Sequence, residues 1–170
     1  NMSSALGNLL VKSTTRIIKN TAKFELAVDD LIEKFSEACP PKDQLLEIVR
    51  QKNQIQSALS NVLGAFGRIN STVNTTKTIV TTVGTAVKVI KAIPLPTSVP
   101  PGIGIPVNVI TLLADSLDTL GDLVKGAKAS LRIVPPVAKT VTSSAEVVLT
   151  KLATLDGVLN KCIEELLNDL

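Results

Sequence analysis

Residues 42–93 read KDQLLEIVRQKNQIQSALSNVLGAFGRINSTVNTTKTIVTTVGTAVKVIKAI. Within them Leu45, Ile48, Lys52, Ile55, Leu59, Val62, Phe66, Ile69, Val73, Thr76, Val80, Val83, Val87 and Ile90 follow one another in steps of three and four without a slip. Twelve of these fourteen positions are apolar, so the stretch reads as one helix with a continuous buried seam. A repeat sustained at about 3.5 residues implies left-handed supercoiling against a partner helix. Thr72, Thr75, Thr76, Thr78, Thr81, Thr82 and Thr85 give residues 70–92 some strand propensity. A strand needs alternation by two, and the heptad phase contradicts that over most of the stretch.

The same spacing recurs toward the C-terminus. Ile110, Leu113, Leu117, Leu120, Val124, Ala127 and Leu131 lead without loss of phase into Val134, Ala138, Val141, Ala145, Val148, Leu152, Leu155, Leu159, Cys162 and Leu166. Because the phase runs through Pro135-Pro136, those prolines are expected to kink a helix whose halves stay roughly coaxial. Toward the N-terminus the stripe Leu6, Leu10, Ser13, Ile17, Asn20, Phe24, Ala27, Leu31, Phe35, Ala38 is weaker, with Ser13 and Asn20 on it.

Proline clusters punctuate these segments, since proline has no amide donor and clashes with the preceding turn. Pro40-Pro41 make one corner, and Pro94, Pro96, Pro100, Pro101 and Pro106 make a second, with Gly102 and Gly104 inside it. The expected fold is all-α: one elongated domain over residues 1–170, an antiparallel helical hairpin or three-helix coiled-coil-like bundle with a Pro-rich apical loop. Its parts are a helix at 3–38, a helix at 42–93, a tip at 94–106 and a helix at 107–168 kinked near 135–136. At 1.5 Å per residue the second and third helices would span on the order of 75 and 90 Å.

If the chain reverses at the tip, residue i faces roughly residue 199 − i, taking Ile93 opposite Pro106. Lys52 then falls opposite position 147, beside Glu146, and Cys162 falls close to Cys39. The two cysteines are expected as a close pair at the base, either as small buried hydrophobes or, in an oxidising compartment, as a disulfide. The first helix would return beside the second along the lower half. The upper half would stay two-stranded and need cover from another chain.

Residues 92–114 carry no charge. Five prolines and two glycines rule out a simple spanning helix, whose freed backbone groups would lie unsatisfied in lipid. Leu95, Val99, Ile103, Ile105 and Val107 are the candidate partner contacts of this tip. It would seat in an apolar pocket or against its own copy, fold over the hairpin as a cap, or touch a membrane.

No catalytic, cofactor-binding or metal-ligating residue is expected. The chain has no His, the commonest general base and metal ligand, and no Trp or Tyr. Asp115, Asp118 and Asp122 recur at helical spacing and read as a solvated face rather than a divalent-metal site. The 18 basic and 15 acidic residues look evenly spread, which argues against a nucleic-acid footprint. Residues 1–10 lack the basic flank and long apolar run of a signal peptide, and no transmembrane helix is expected.

The segment KVIKAIPLPTSVPPGIGIPVNVITLLADSLDTLGDL, residues 88–123, resembles a region of structural proteins of large tailed phages and related viruses of aquatic microbes. The resemblance implies a virion component of the tail, baseplate or capsid shell, and carries no catalytic motif. The combined expectation is a non-enzymatic rod that cements or bridges larger subunits, in a homo- or hetero-oligomer, through its seams and tip. A membrane-active helical hairpin and a helical adaptor or binding module are the alternatives.

Overall fold

A computed structural model describes residues 2–67, 73–92, 114, 115, 118, 119, 122 and 134–170. The fold is all-helical, with no strand among the described residues. Its long helices are α1 (Met2–Glu37), α2 (Lys42–Gly67), α3 (Val73–Lys91) and α4 (Val134–Asn168). Ala114, Asp115, Asp118, Thr119 and Asp122 are also in helical backbone.

Local chemistry accounts for several of these boundaries. The Pro41 carbonyl accepts the first bond of α2, from the Leu45 amide at 2.9 Å, and Asp43 lies in the first turn, where the helix dipole favours an anion. Pro135 and Pro136 lie in the first turn of the described part of α4, where proline is tolerated. The residues that precede Val134, and with them the expected kink, lie outside the described residues. The Thr-rich stretch is helical: the Thr85 hydroxyl donates to the Thr81 carbonyl at 3.0 Å, a back-bond that lets threonine satisfy itself within a helix.

The expected helix at 42–93 is two helices, and α3 packs laterally on α2. Only five residues separate them, and six Cα steps reach about 22 Å at most. α2, with 26 residues, is about 39 Å long. A parallel pairing along its length is out of reach, so α3 runs antiparallel to α2. The heptad phase is blind to this reversal, because a stripe in phase on both sides of a bend serves a straight helix and a folded one equally. The expected span of about 75 Å is correspondingly too long; the longest described helix, α1, with 36 residues, spans about 54 Å.

α4 packs on both α1 and α2. Its contacts climb with α1: Lys151 Nζ donates to Asp29 Oδ1 at 2.8 Å, and further along Cys162 Sγ lies 3.9 Å from the Phe35 carbonyl oxygen. The two helices are therefore parallel. The first helix packs chiefly on α4, not on the second helix as the sequence reading expected. A single core joins all of these elements, with Phe24, Val28, Leu45, Ile48, Ile55, Val62, Ile90, Leu152, Leu155 and Leu159 among its most buried members and Ala114 also within it.

Every seam position of α2 and α3 with a described side chain is buried, apart from Val80, which is half-buried against the core. Ile55, Leu59 and Val83 are among the buried ones. Phe66 is helical, and its side chain lies outside the description, as do Ile69, Leu113, Leu117, Leu120, Val124 and Leu131. The tip at 94–106, with Leu95, Val99, Ile103, Ile105 and Val107, also lies outside the described residues. Because α3 and Ala114 cover seams of the same chain, the described seams need no second chain to bury them.

Candidate functional site

Polar residues on the seams tie the helices together. Lys52 is buried on α2, and its ammonium is held by Asp156 of α4 and by Gln56 Oε1 at 3.0 Å. This replaces the expected neighbour, Glu146. The 199 − i register assumed a single reversal at the tip. Instead α2 and α4 are levelled from the base, where counting ten residues up from Lys42 and ten back from Leu166 meets at this pair.

Asn20, one of the two polar interruptions on α1, has an equally specific role. Its Nδ2 donates to Asp115 Oδ2 at 3.2 Å, while Arg16 Nη2 donates to Asp115 Oδ1 at 2.8 Å. Lys91, at the end of α3, donates to Asp118 Oδ2 at 3.0 Å. Two members of the acidic triplet are thus ion-paired to two different helices, and no cluster of three or more possible metal ligands occurs among the described residues.

At the base, Cys39 and Cys162 are joined by a disulfide, with Cα atoms 5.5 Å apart. Glu165 Oε2 lies 3.2 Å from Cys39 Sγ, a contact and not a hydrogen bond, since a disulfide sulfur carries no proton. A hollow of about 470 Å³ adjoins the bond, lined by Phe35, Glu37, Thr154, Gly157 and Lys161 among others. On α2, Glu47 hydrogen-bonds Arg50 and raises its guanidinium pKa; Asp29 does the same for the Lys151 ammonium.

Charge is segregated along α1 and, more weakly, along α4. In α1, residues 2–24 hold Lys12, Arg16, Lys19 and Lys23 and no acid, whereas residues 25–37 hold five acids and one base, Lys34. In α4, residues 134–145 hold Lys139 and no acid, whereas residues 146–168 hold four acids and two bases. The Asp29–Lys151 pair sets α1 and α4 in parallel with an offset of 122 residues, so the sign changes at nearly the same level on both helices. Lys12, Arg16, Lys19 and Lys23 line one side of a cleft of about 930 Å³, opposite Thr119 and Asp122. Beside them Val11, Ile18 and Leu26 are 65%, 58% and 67% exposed.

Four of the 18 basic side chains are therefore gathered on one face of α1, a local cluster within charge that is otherwise spread along the chain. The missed signal is a heptad repeat in the charged residues themselves, one position ahead of Ser13, Ile17, Asn20 and Phe24. Among the described residues no helix is long and apolar enough to cross a membrane. No protein-family model, curated protein or solved structure matches this chain.

Proposed function

We propose that the protein is a structural assembly element of a virion, a disulfide-tied helical bundle that bridges larger subunits. The observation that carries this reading is the segregation of charge: residues 2–24 of α1 carry only basic charge, and the C-terminal parts of α1 and α4 are net acidic. Such a body binds differently charged surfaces at its two ends, which suits a bridging piece. The cross-link is in keeping with a protein that works on a particle exposed to oxidising surroundings. The virion assignment rests on the resemblance of residues 88–123, and a Pro-rich docking tip at 94–106 remains part of the proposal.

Light scattering with small-angle X-ray scattering tests the assembly reading. An elongated oligomer that loosens as salt is raised supports it. A compact monomer at every salt concentration overturns it and favours the adaptor. Peptide mass spectrometry on purified particles tests the virion assignment: the chain should be present at a fixed ratio to the major shell or tail subunit.

A further inference from the structure

The outer face of α1 carries a second heptad stripe, distinct from its buried seam. Its first half is Lys12, Arg16, Lys19 and Lys23; after Leu26, its second half is Asp30, Glu33 and Glu37. The steps alternate four and three throughout, and all eight side chains are exposed. Residues at this spacing share one helix face. The stripe inverts its sign about a point between Lys23 and Leu26.

We infer that this face binds the same face of a second copy in antiparallel orientation. It deepens the assembly reading above and rests on it. Turning a second α1 end for end aligns Lys12 with Glu37, Arg16 with Glu33 and Lys19 with Asp30, twice over by symmetry. A two-fold contact requires a self-complementary surface, and this pattern supplies one. Opposite charges flanking an antiparallel helix pair set its orientation, because the parallel alternative places lysine on lysine and carboxylate on carboxylate. Leu26 within the stripe and the exposed Val11 and Ile18 beside it supply apolar area. The basic half also borders the 930 Å³ cleft. Arg16 already holds Asp115, so Lys12 with Glu37 and Lys19 with Asp30 carry the intermolecular role most directly, while Lys23 meets the apolar Leu26. An anionic membrane is the weaker fit, since the acidic half of the same stripe would be repelled from it.

Sedimentation equilibrium on the full chain tests the inference with two triple variants. Lys12→Glu/Lys19→Glu/Lys23→Glu inverts the basic half and spares Arg16; Asp30→Lys/Glu33→Lys/Glu37→Lys inverts the acidic half. Each alone should weaken dimerisation by roughly tenfold or more. An equimolar mixture should restore it as a heterodimer, with helical circular dichroism unchanged in all. Salt near 1 M, where the Debye length is about 3 Å, should weaken the wild-type dimer. A wild-type chain that stays monomeric overturns both this inference and the assembly reading. An oligomer that both inversions leave intact overturns this inference alone and leaves assembly through another surface. Co-sedimentation with phosphatidylserine vesicles that is abolished by the basic inversion and unchanged by the acidic one would overturn it in favour of a lipid surface.

Discussion

Lys52 on α2 and Asp156 on α4 form an ion pair whose two ends differ in burial: the lysine side chain is 4% exposed and the aspartate 39%. The Lys52 stem fills a seam position while its ammonium reaches the wetter edge of the α2–α4 contact. Removing the partner leaves a buried charge, whereas removing the charge leaves a methylene chain in an apolar seam. Asp156→Ala is therefore expected to cost about 2–3 kcal/mol, and Lys52→Met to fall within about 1 kcal/mol of wild type. Urea denaturation measures both. Equal losses would mean that Lys52 contributes through its charge after all.

The disulfide joins residues 123 apart in sequence. Cross-linking so long a loop restricts the unfolded chain, and its removal is expected to cost about 2–4 kcal/mol. Cys39→Ala/Cys162→Ala, compared with wild type with and without reductant, measures this. Wild type should match the variant only when reduced. An unchanged denaturation midpoint on reduction would show that the base is held by packing alone.

Gly84 in α3 and Gly157 in α4 are interior helical positions where an added Cβ meets no atom within 4 Å. Alanine there lowers the entropy of the unfolded chain without a clash. Gly84→Ala and Gly157→Ala should each raise stability by about 0.5–1 kcal/mol in thermal or urea unfolding. A loss at either position would point to a backbone that is not regular helix there.

Asp115 accepts from both Arg16 and Asn20 and so anchors its own segment to α1. Asp115→Ala should cost about 1–2 kcal/mol. Asn20→Ala should cost about 1 kcal/mol, and the two losses should not add, because they remove one shared contact. Full additivity in the double variant would place the effect of Asn20 elsewhere.

Lys151 binds its proton more tightly in the folded protein than its ordinary value of 10.5, chiefly through the hydrogen bond to Asp29. The stabilisation this represents is complete below the unfolded value and is lost as pH rises through the raised folded value. The stability difference between wild type and Lys151→Met should thus be constant from about pH 7 to pH 9 and shrink above about pH 10.5. A difference that instead shrinks only on acidification would assign the effect to the Asp29 carboxylate.

Much of the fold was legible because seam residues report burial directly. Leu45, Ile48, Ile55, Leu152, Leu155 and Leu159 stand in the heptad phase and are among the most buried members of the core. Ser13, Asn20 and Lys52 were visible as anomalies on those stripes, but their partners were not, since a polar side chain on a seam does not announce which helix will meet it. The 199 − i register brought Cys162 near Cys39 and failed for Lys52. Cys39 lies outside any helix at the base, so its place beside Cys162 does not depend on how the arms above it fold. The partner of Lys52 depends on where α4 lies along α2.

The sequence by itself determined that the described chain is helical, which face of each helix turns inward and that Pro40-Pro41 separate α1 from α2, because these follow from local propensity and from the period of apolar residues. Only the tertiary structure decided that α3 doubles back on α2, that α4 runs parallel to α1, and that Lys12, Arg16, Lys19 and Lys23 share a cleft with Thr119 and Asp122. Helices joined by short links can satisfy the same apolar stripes in more than one arrangement. The choice among those arrangements is made by contacts between residues far apart in the chain, such as Lys52 with Asp156, Asn20 with Asp115 and Cys39 with Cys162.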